Sequence, residues 1–339
     1  MVKARQYIAI FLLSLMLQGC ATYCYMPQEI PEPLPPFFVP ERIKVALVLG
    51  SGGVRGMAHI GVLEELEAAN IPIDLIVGCS AGSMVGALYA DNPCIEQIKD
   101  AVWNVRSSSF LDISLWYCRY GLSRDISMRK AIQNVLQAQT FEELRIPLII
   151  VAADLYSGEL VPIGSGDLVK AIQASCSIPF VFVPCEHMGR ILVDGGVINP
   201  VPVKIAKDLD AELVIAVDLS ELLQQTFPTN LFQIATRSAE IAFIWQNDEC
   251  TREADVIIRP RTCAIGTFND AMKCQLYYAG KEAAKAAIPA IKERLAQLRA
   301  DDDENKIKLV QMNAYTPQIY HEKKPPVNVR VTETIEIPK

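Results

Sequence analysis

Between residues 44 and 90 the chain twice runs from a short apolar stretch through a glycine-flanked turn into a helical pattern. The first unit joins residues 44–49 (Lys-Val-Ala-Leu-Val-Leu) to the loop Gly50-Ser51-Gly52-Gly53-Val54-Arg55-Gly56 and a helix over 57–69. The second joins residues 73–77 (Ile-Asp-Leu-Ile-Val) to the turn Gly78-Cys79-Ser80-Ala81-Gly82 and a helix over 83–90. Further apolar stretches at 147–152, 191–193, 213–218 and 255–259 alternate with helical patterns, and residues 155–163 read as a hairpin around Ser157-Gly158. Strands that are apolar throughout are covered on both faces, which calls for a mostly parallel sheet between helices. The expected fold is a single α/β domain of three layers. With 339 residues, 51% of them hydrophobic, the chain has enough material for one large core.

A serine between two glycines at a strand-to-helix junction reads as a nucleophile elbow, because so tight a turn leaves no room for larger neighbours. The geometry lifts the Ser80 hydroxyl clear of the backbone and aims a helix N-terminus at the reacting centre, which suits acyl transfer. A plain tight turn is the alternative for these five letters taken alone. The upstream glycine loop presents backbone N–H groups to an anion. It is not a dinucleotide fingerprint, because Arg55 stands where the last glycine is required, and no Walker lysine follows it. An oxyanion hole with a cation beside it fits better. Far downstream, residues 190–193 read as a strand ending in Asp194-Gly195-Gly196, and Asn199-Pro200 is expected to open a helix as its cap and first residue. Asp194 is freed by its glycines to reach another loop; a simple turn aspartate is the alternative.

Together these residues resemble the patatin-like phospholipases. Residues 49–63, with Gly50, Gly52 and Gly53, are similar to the family's first block, although Ser51 replaces one of its three glycines, as in some bacterial members. Gly78 to Gly82 around Ser80 resembles the second block and Asp194-Gly195-Gly196 the third. Residues 153–158 and Ala174-Ser175-Cys176-Ser177-Ile178-Pro179 also look familial. The resemblance runs over residues 44–260. It implies a Ser-Asp dyad in which Ser80 is the nucleophile and Asp194 takes its proton and later activates water. It implies an oxyanion site at Gly52 and Gly53 with help from Arg55, no metal or other cofactor, and a phospholipid or lysophospholipid substrate. With water as acceptor the outcome is hydrolysis; with an alcohol it is acyl transfer. An aspartate near ~4 needs desolvation to serve as this base.

A triad would need a histidine, and the chain has 3. His59 reads as a packed, hydrogen-bonded helix residue and His187 as a solvated turn residue. His321 would complete the order Ser, Asp, His with Ser80 and either Asp194 or Asp218, an alternative esterase mechanism. A non-catalytic lipoprotein that binds acyl chains or a protein partner is the alternative from another class. The aromatic segment 110–123, with Phe110, Trp116, Tyr117 and Tyr120, reads as core packing, an acyl-chain wall or a lid.

Lys3 and Arg5 precede an apolar run at 7–17, too short to cross a membrane, and Leu17-Gln18-Gly19-Cys20 resembles a bacterial lipobox. The expected organisation is a signal peptide (1–19), a lipidated Cys20 with a proline-rich tether (20–42), a catalytic domain (43–262), its helical C-terminal part (263–300) and a tail of unknown role (301–339). Long helices are expected at 231–249 and 281–299, and strand-like alternation at 327–337. The location implied is the bacterial cell envelope, lipid-anchored at the outer membrane or on its periplasmic face. The net charge of −7 argues against nucleic acid as a partner and against simple docking on anionic lipid. None of the 10 cysteines falls in a CxxC or metal-ligand spacing, and unpaired thiols fit an oxidising compartment poorly.

Overall fold

The computed structural model describes residues 25, 31–113, 120–124, 126–220, 227–262, 269–300 and 309–311. Cys20 and the run 7–17, Trp116 and Tyr117, His321 and the alternation at 327–337 lie outside these residues. The strands are β1 (Phe38–Pro40), β2 (Val45–Leu49), β3 (Leu75–Cys79), β4 (Leu148–Asp154), β5 (Leu160–Ile163), β6 (Cys185–His187), β7 (Arg190–Asp194), β8 (Leu213–Val217), β9 (Val256–Ile258) and β10 (Leu309–Gln311). The α-helices are α1 (Met57–Ala68), α2 (Ala81–Asp91), α3 (Ile95–Trp103), α4 (Ile126–Val135), α5 (Leu168–Ser175), α6 (Val203–Asp208), α7 (Leu231–Thr251) and α8 (Lys273–Ala300).

One sheet organises the domain, in the order β6-β7-β4-β3-β2-β8-β9, with β5 also paired to β4. The ladders β4–β3, β3–β2, β2–β8 and β8–β9 are parallel. Those of β4 with β5, β4 with β7 and β7 with β6 are antiparallel. Side chains alternate between two cores, as the two-residue strand period requires. Leu47 and Leu49 of β2 join Ile76 and Ile150 in the larger core, under α1, α2, α4 and α5. Ala46 and Val48 face the other way, with Val77, Val151 and the α6 residues Val203 and Ile205.

Three expectations change. The proline-rich segment does not stand off as a tether along its whole length: Leu34, Phe37 and Val39 are buried, and β1 pairs antiparallel with β10. Its prolines are compatible with an edge strand, and its apolar side chains cover the face that only α6 and the end of α7 otherwise shield. The last helix begins at Lys273, ahead of 281. Gly280 looks like a breaker but is a crossing point. A methyl there would stand 2.0 Å from the Ala58 carbonyl oxygen, and one at Gly61 would stand 2.1 Å from that of Tyr277. The missing side chains let α1 and α8 meet backbone to backbone. Finally, Asn199 does not cap a helix. Val201 precedes Pro202, which disfavours helical geometry at Val201, and α6 starts only at Val203, with Pro202 before it. The hairpin at 155–163 is present as the β4–β5 turn. Asp154 accepts from the Tyr156 N–H at 2.9 Å and pairs with Arg190 at 3.1 Å, a structural role.

Candidate active site

Ser80 sits between the end of β3 and the start of α2 at φ 53°, ψ −117°. A non-glycine residue at positive φ is strained by roughly 1–3 kcal/mol and needs its surroundings to hold it there. Those surroundings are visible. The Ser80 N–H donates to Ser175 Oγ at 2.8 Å, and Ser175 Oγ donates in turn to the Val151 carbonyl at 2.7 Å. The Ser80 carbonyl accepts from Ser83 Oγ at 2.6 Å. The flanking glycines are obligatory: a methyl at Gly82 would stand 2.0 Å from the Leu49 carbonyl oxygen, and one at Gly78 would stand 2.7 Å from the Gly82 carbonyl oxygen.

Asp194 reaches the elbow through the sheet. Residues 150 and 151 of β4 pair with β3 on one edge and β5 on the other, whereas 152 and 153 pair with β7 and β5. Strands β3 and β7 therefore share one edge of β4 and run toward each other. Cys79 lies opposite Val151, and Asp194 lies opposite Ala152, the next residue. The carboxyl ends of the two strands meet there, which brings the Asp194 carboxylate close enough to the Ser80 side chain for the hydroxyl to pull its pKa down. The carboxylate accepts from the Gly196 N–H at 2.7 Å. Burial pushes the Asp194 carboxyl up to about 6, against the opposing pull of the Ser80 hydroxyl and the Gly196 N–H. A carboxylate of that basicity beside a serine hydroxyl can take its proton near neutral pH.

The glycine loop closes the other side. Gly50 and Ser51 N–H groups are committed to the Val217 and Pro200 carbonyls at 3.0 and 2.9 Å. The N–H groups of Gly52 and Gly53 make no hydrogen bond among the described residues. Gly53 is at φ 59° and lines the same cavity as Ser80. Arg55 Nε donates to the Gly52 carbonyl at 3.1 Å. In a trans peptide the C=O and the next N–H point opposite ways, so Arg55 fixes the direction of the Gly53 N–H by holding the Gly52 oxygen.

A cavity of about 160 Å³ opens beside Ser80. Val85 and Leu88 of α2, Met128, Ile132 and Val135 of α4, and Phe110 line it. From Ser80 to Leu88 the slot follows α2 for about 12 Å, roughly ten carbon–carbon bonds of an extended chain. Of the expected aromatic segment, Phe110 forms the wall, and Tyr120 packs edge-on against Tyr25 at 4.8 Å.

Neither described histidine joins Ser80. His59 is fully buried, and Nε2 donates to the Gly50 carbonyl at 2.8 Å. Burial lowers it to about 4, so it is a neutral brace for the glycine loop. His187 is buried in β6 beside the Met188-Gly189 turn, and burial followed by nearby Lys170 lowers it. The expectation of a solvated turn residue fails because His187 lies in β6 with its side chain buried. Asp218 is held by Arg259 at 2.9 Å and by the Ser220 N–H at 2.8 Å, a structural pair.

Three site residues were given no role from the sequence. Ser175 holds the elbow, and the segment around it carried the signal. Cys176 lines the cavity, and burial followed by the Asp194 charge pushes its thiol up to about 12, so it stays protonated beside Ser80. Ser51 is buried with its hydroxyl unpartnered among the described residues, 3.2 Å from where a Gly196 side chain would begin. Its departure from the family's triple glycine was the available clue.

Several known proteins are similar to this chain in sequence or in fold. Patatin-like phospholipase domain-containing protein 6 of Homo sapiens is 35% identical over 181 residues, 52% of this chain and 13% of that protein. An uncharacterised NTE family protein of Mycobacterium tuberculosis is 36% identical over 177 residues, 52% of this chain and 49% of that protein. This chain thus spans half or less of the length of these relatives. The crystal structure of VipD from Legionella pneumophila superposes with a TM-score of 0.50 over 78% of this chain and 71% of that one, at 13% identity, a likeness of fold alone. The sequence profile of the patatin-like phospholipases matches residues 47–207. Over residues 47–207 this chain is thus similar to the patatin-like phospholipase family.

Proposed function

We propose that this domain hydrolyses acyl esters of phospholipids or lysophospholipids through an acyl-Ser80 intermediate. The observation that carries the reading is a serine held at a strained backbone φ beside a buried carboxylate of raised basicity, at the mouth of an apolar slot. Asp194 accepts the Ser80 proton as Oγ attacks the ester carbonyl carbon. The Gly52 and Gly53 N–H groups, with the loop braced by Arg55, receive the oxyanion. Collapse breaks the ester bond, and Asp194 returns the proton to the leaving alcohol. Water, deprotonated by Asp194, then attacks the acyl-serine, and the fatty acid leaves as Ser80 is restored. No step calls on a metal or another cofactor. The slot accepts the acyl chain, which accounts for its apolar lining.

The envelope location enters the same proposal: lipid on Cys20 holds the domain near its substrate. Intact-mass analysis of the mature chain, with Cys20→Ser as control, tests it. For the chemistry, the test is fluorophosphonate labelling of wild type, Ser80→Ala and Asp194→Asn, with fatty-acid release from mixed phospholipids in parallel. Labelling and release by the wild type alone are expected. Folded wild type that neither labels nor releases fatty acid refutes the hydrolase.

A further inference from the structure

Helix α7 connects β8 to the parallel strand β9, so it starts at the carboxyl end of the sheet, the end that carries Ser80. Its 21 residues span about 31 Å. The 5 residues of β8 span about 17 Å. The helix is therefore about 14 Å too long for the layer it covers, and burial says which end is in excess. Asn247 and Thr251 are buried near its C-terminus, and Phe243 stands 3.4 Å from where a Gly196 side chain would begin. From residue 231 to 242 every residue with a described side chain is exposed, apart from the partly buried Arg237. The overhang thus projects beyond the catalytic edge.

Its chemistry is unusual for a surface. Phe227 is 88% exposed, Leu231 83% and Trp245 75%, and Ile234 and Ile241 are exposed as well. Over residues 231–245 the only charges are Arg237 and Glu240, which pair with each other at 3.0 Å. At the same end of the sheet, Phe180 is 82% exposed at φ 69°, a backbone conformation that aromatic residues rarely adopt. Its loop is part of the site: Ile178 and Phe182 line the cavity, and the Ser177 carbonyl accepts from the Asp194 N–H. Exposed Leu122 donates its N–H to the Phe180 carbonyl at 3.2 Å. A large exposed apolar surface at a site mouth marks an interaction face.

We propose that the overhanging half of α7 and the Phe180 loop dock the domain on a neutral, zwitterionic lipid surface, with the cavity mouth facing the lipid. This rests on the reading of Ser80 as a lipid hydrolase. Apolar burial with Trp245 at the interface supplies the attraction. The internally neutralised overhang and the net charge of −7 disfavour an anionic surface. Phe227, Leu231, Ile234, Ser238, Ile241 and Trp245 also follow the 4-3 spacing of a coiled-coil seam. Exposed Ala235, Ala239 and Ala242 widen the small, uncharged surface beyond such a seam, and Ser238 interrupts its centre. The lipid surface is the better fit.

The test uses the full chain with Trp103→Phe, Trp116→Phe and Ser80→Ala, leaving Trp245 as the only tryptophan of the 3. Its emission is read with phosphatidylcholine vesicles containing brominated lipid. A blue shift with quenching is expected, and Leu231→Asp with Ile234→Asp abolishes it while the thermal melt stays unchanged. Three results overturn the proposal. Emission can stay unmoved on chains that are vesicle-bound, which means attachment through the N-terminal segment alone. The shift can appear with rising protein concentration and no lipid, which means pairing of two copies. Or it can require phosphatidylglycerol. Because the probe chain lacks Ser80, insertion is scored independently of hydrolysis. Insertion with no fatty-acid release from the Ser80-bearing chain upholds the docking and refutes the hydrolase instead.

Discussion

Asp194→Asn is expected to stabilise this protein while abolishing its activity, and the gain is expected to depend on pH. The wild-type carboxyl stands at about 6 in the fold and 3.8 when unfolded, chiefly through burial. That difference corresponds to about 3 kcal/mol. The sign follows from proton binding: between these two values the native state holds the proton more tightly than the unfolded chain. Stability contributed by the protonated carboxyl is fully present below about 4 and is lost as pH rises through about 6. Asparagine keeps the acceptor for the Gly196 N–H, bonded at 2.7 Å in the wild type, and carries no charge to desolvate. The variant should therefore exceed wild type by up to about 3 kcal/mol at pH 8, with the gap closing toward pH 4. Urea unfolding of both chains from pH 4 to 8 measures it. His59, lowered from 6.5 to about 4, acts in the opposite sense: its stabilisation is present above 6.5 and lost as pH falls toward 4. That contribution is common to both chains and cancels in the difference to the extent that the sites are independent. A gap that does not change with pH, or a variant less stable than wild type at pH 8, refutes the reasoning.

The rate itself should carry the same ionisation: kcat/KM for a soluble ester should rise through about pH 6 and level off above it, because only the ionised Asp194 accepts the Ser80 proton. Ser175→Ala should lower kcat about 10- to 100-fold with little change in KM, since it releases the Ser80 N–H without touching the slot. Val135→Trp, which lengthens a side chain at the wall of the slot, should lower the rate on long-chain esters about tenfold relative to butyrate esters in a chain-length series. Phe37→Ala should cost about 3–5 kcal/mol in urea unfolding; a cost near zero means the proline-rich segment does not pack as described.

The strands β2, β3, β4, β7, β8 and β9 were legible because each is short, apolar and closed by glycine or a turn, and the elbow because so few residues fit a strand-to-helix turn that tight. The features that escaped are those decided by distant partners. Nothing local to Gly280 says that Ala58 lies against it, so the last helix was expected to begin only after it, at 281. Phe37 and Val39 sit among prolines, and only the thinly covered second face of the sheet explains their burial. Ser175 is an ordinary helix residue until the fold brings it to Ser80 from 95 positions away. His187 was misread because the loop pattern of its neighbours gives no hint that its side chain turns inward.

The head-on meeting of β3 and β7 along one edge of β4 makes that strand a ruler. The serine and the aspartate are aligned by which β4 residue each strand stops beside, Val151 for one and Ala152 for the other. A slip of one residue would carry the carboxylate about 3.3 Å along the edge and turn it to the opposite face. There is no half-active arrangement between the two registers. In a growing chain Ser80 is made long before Ser175, which holds it, and before Asp194, its proposed base, which arrives only when the β6–β7 hairpin docks. On the proposed chemistry, hydrolytic power arrives in one step, with the closing of the sheet.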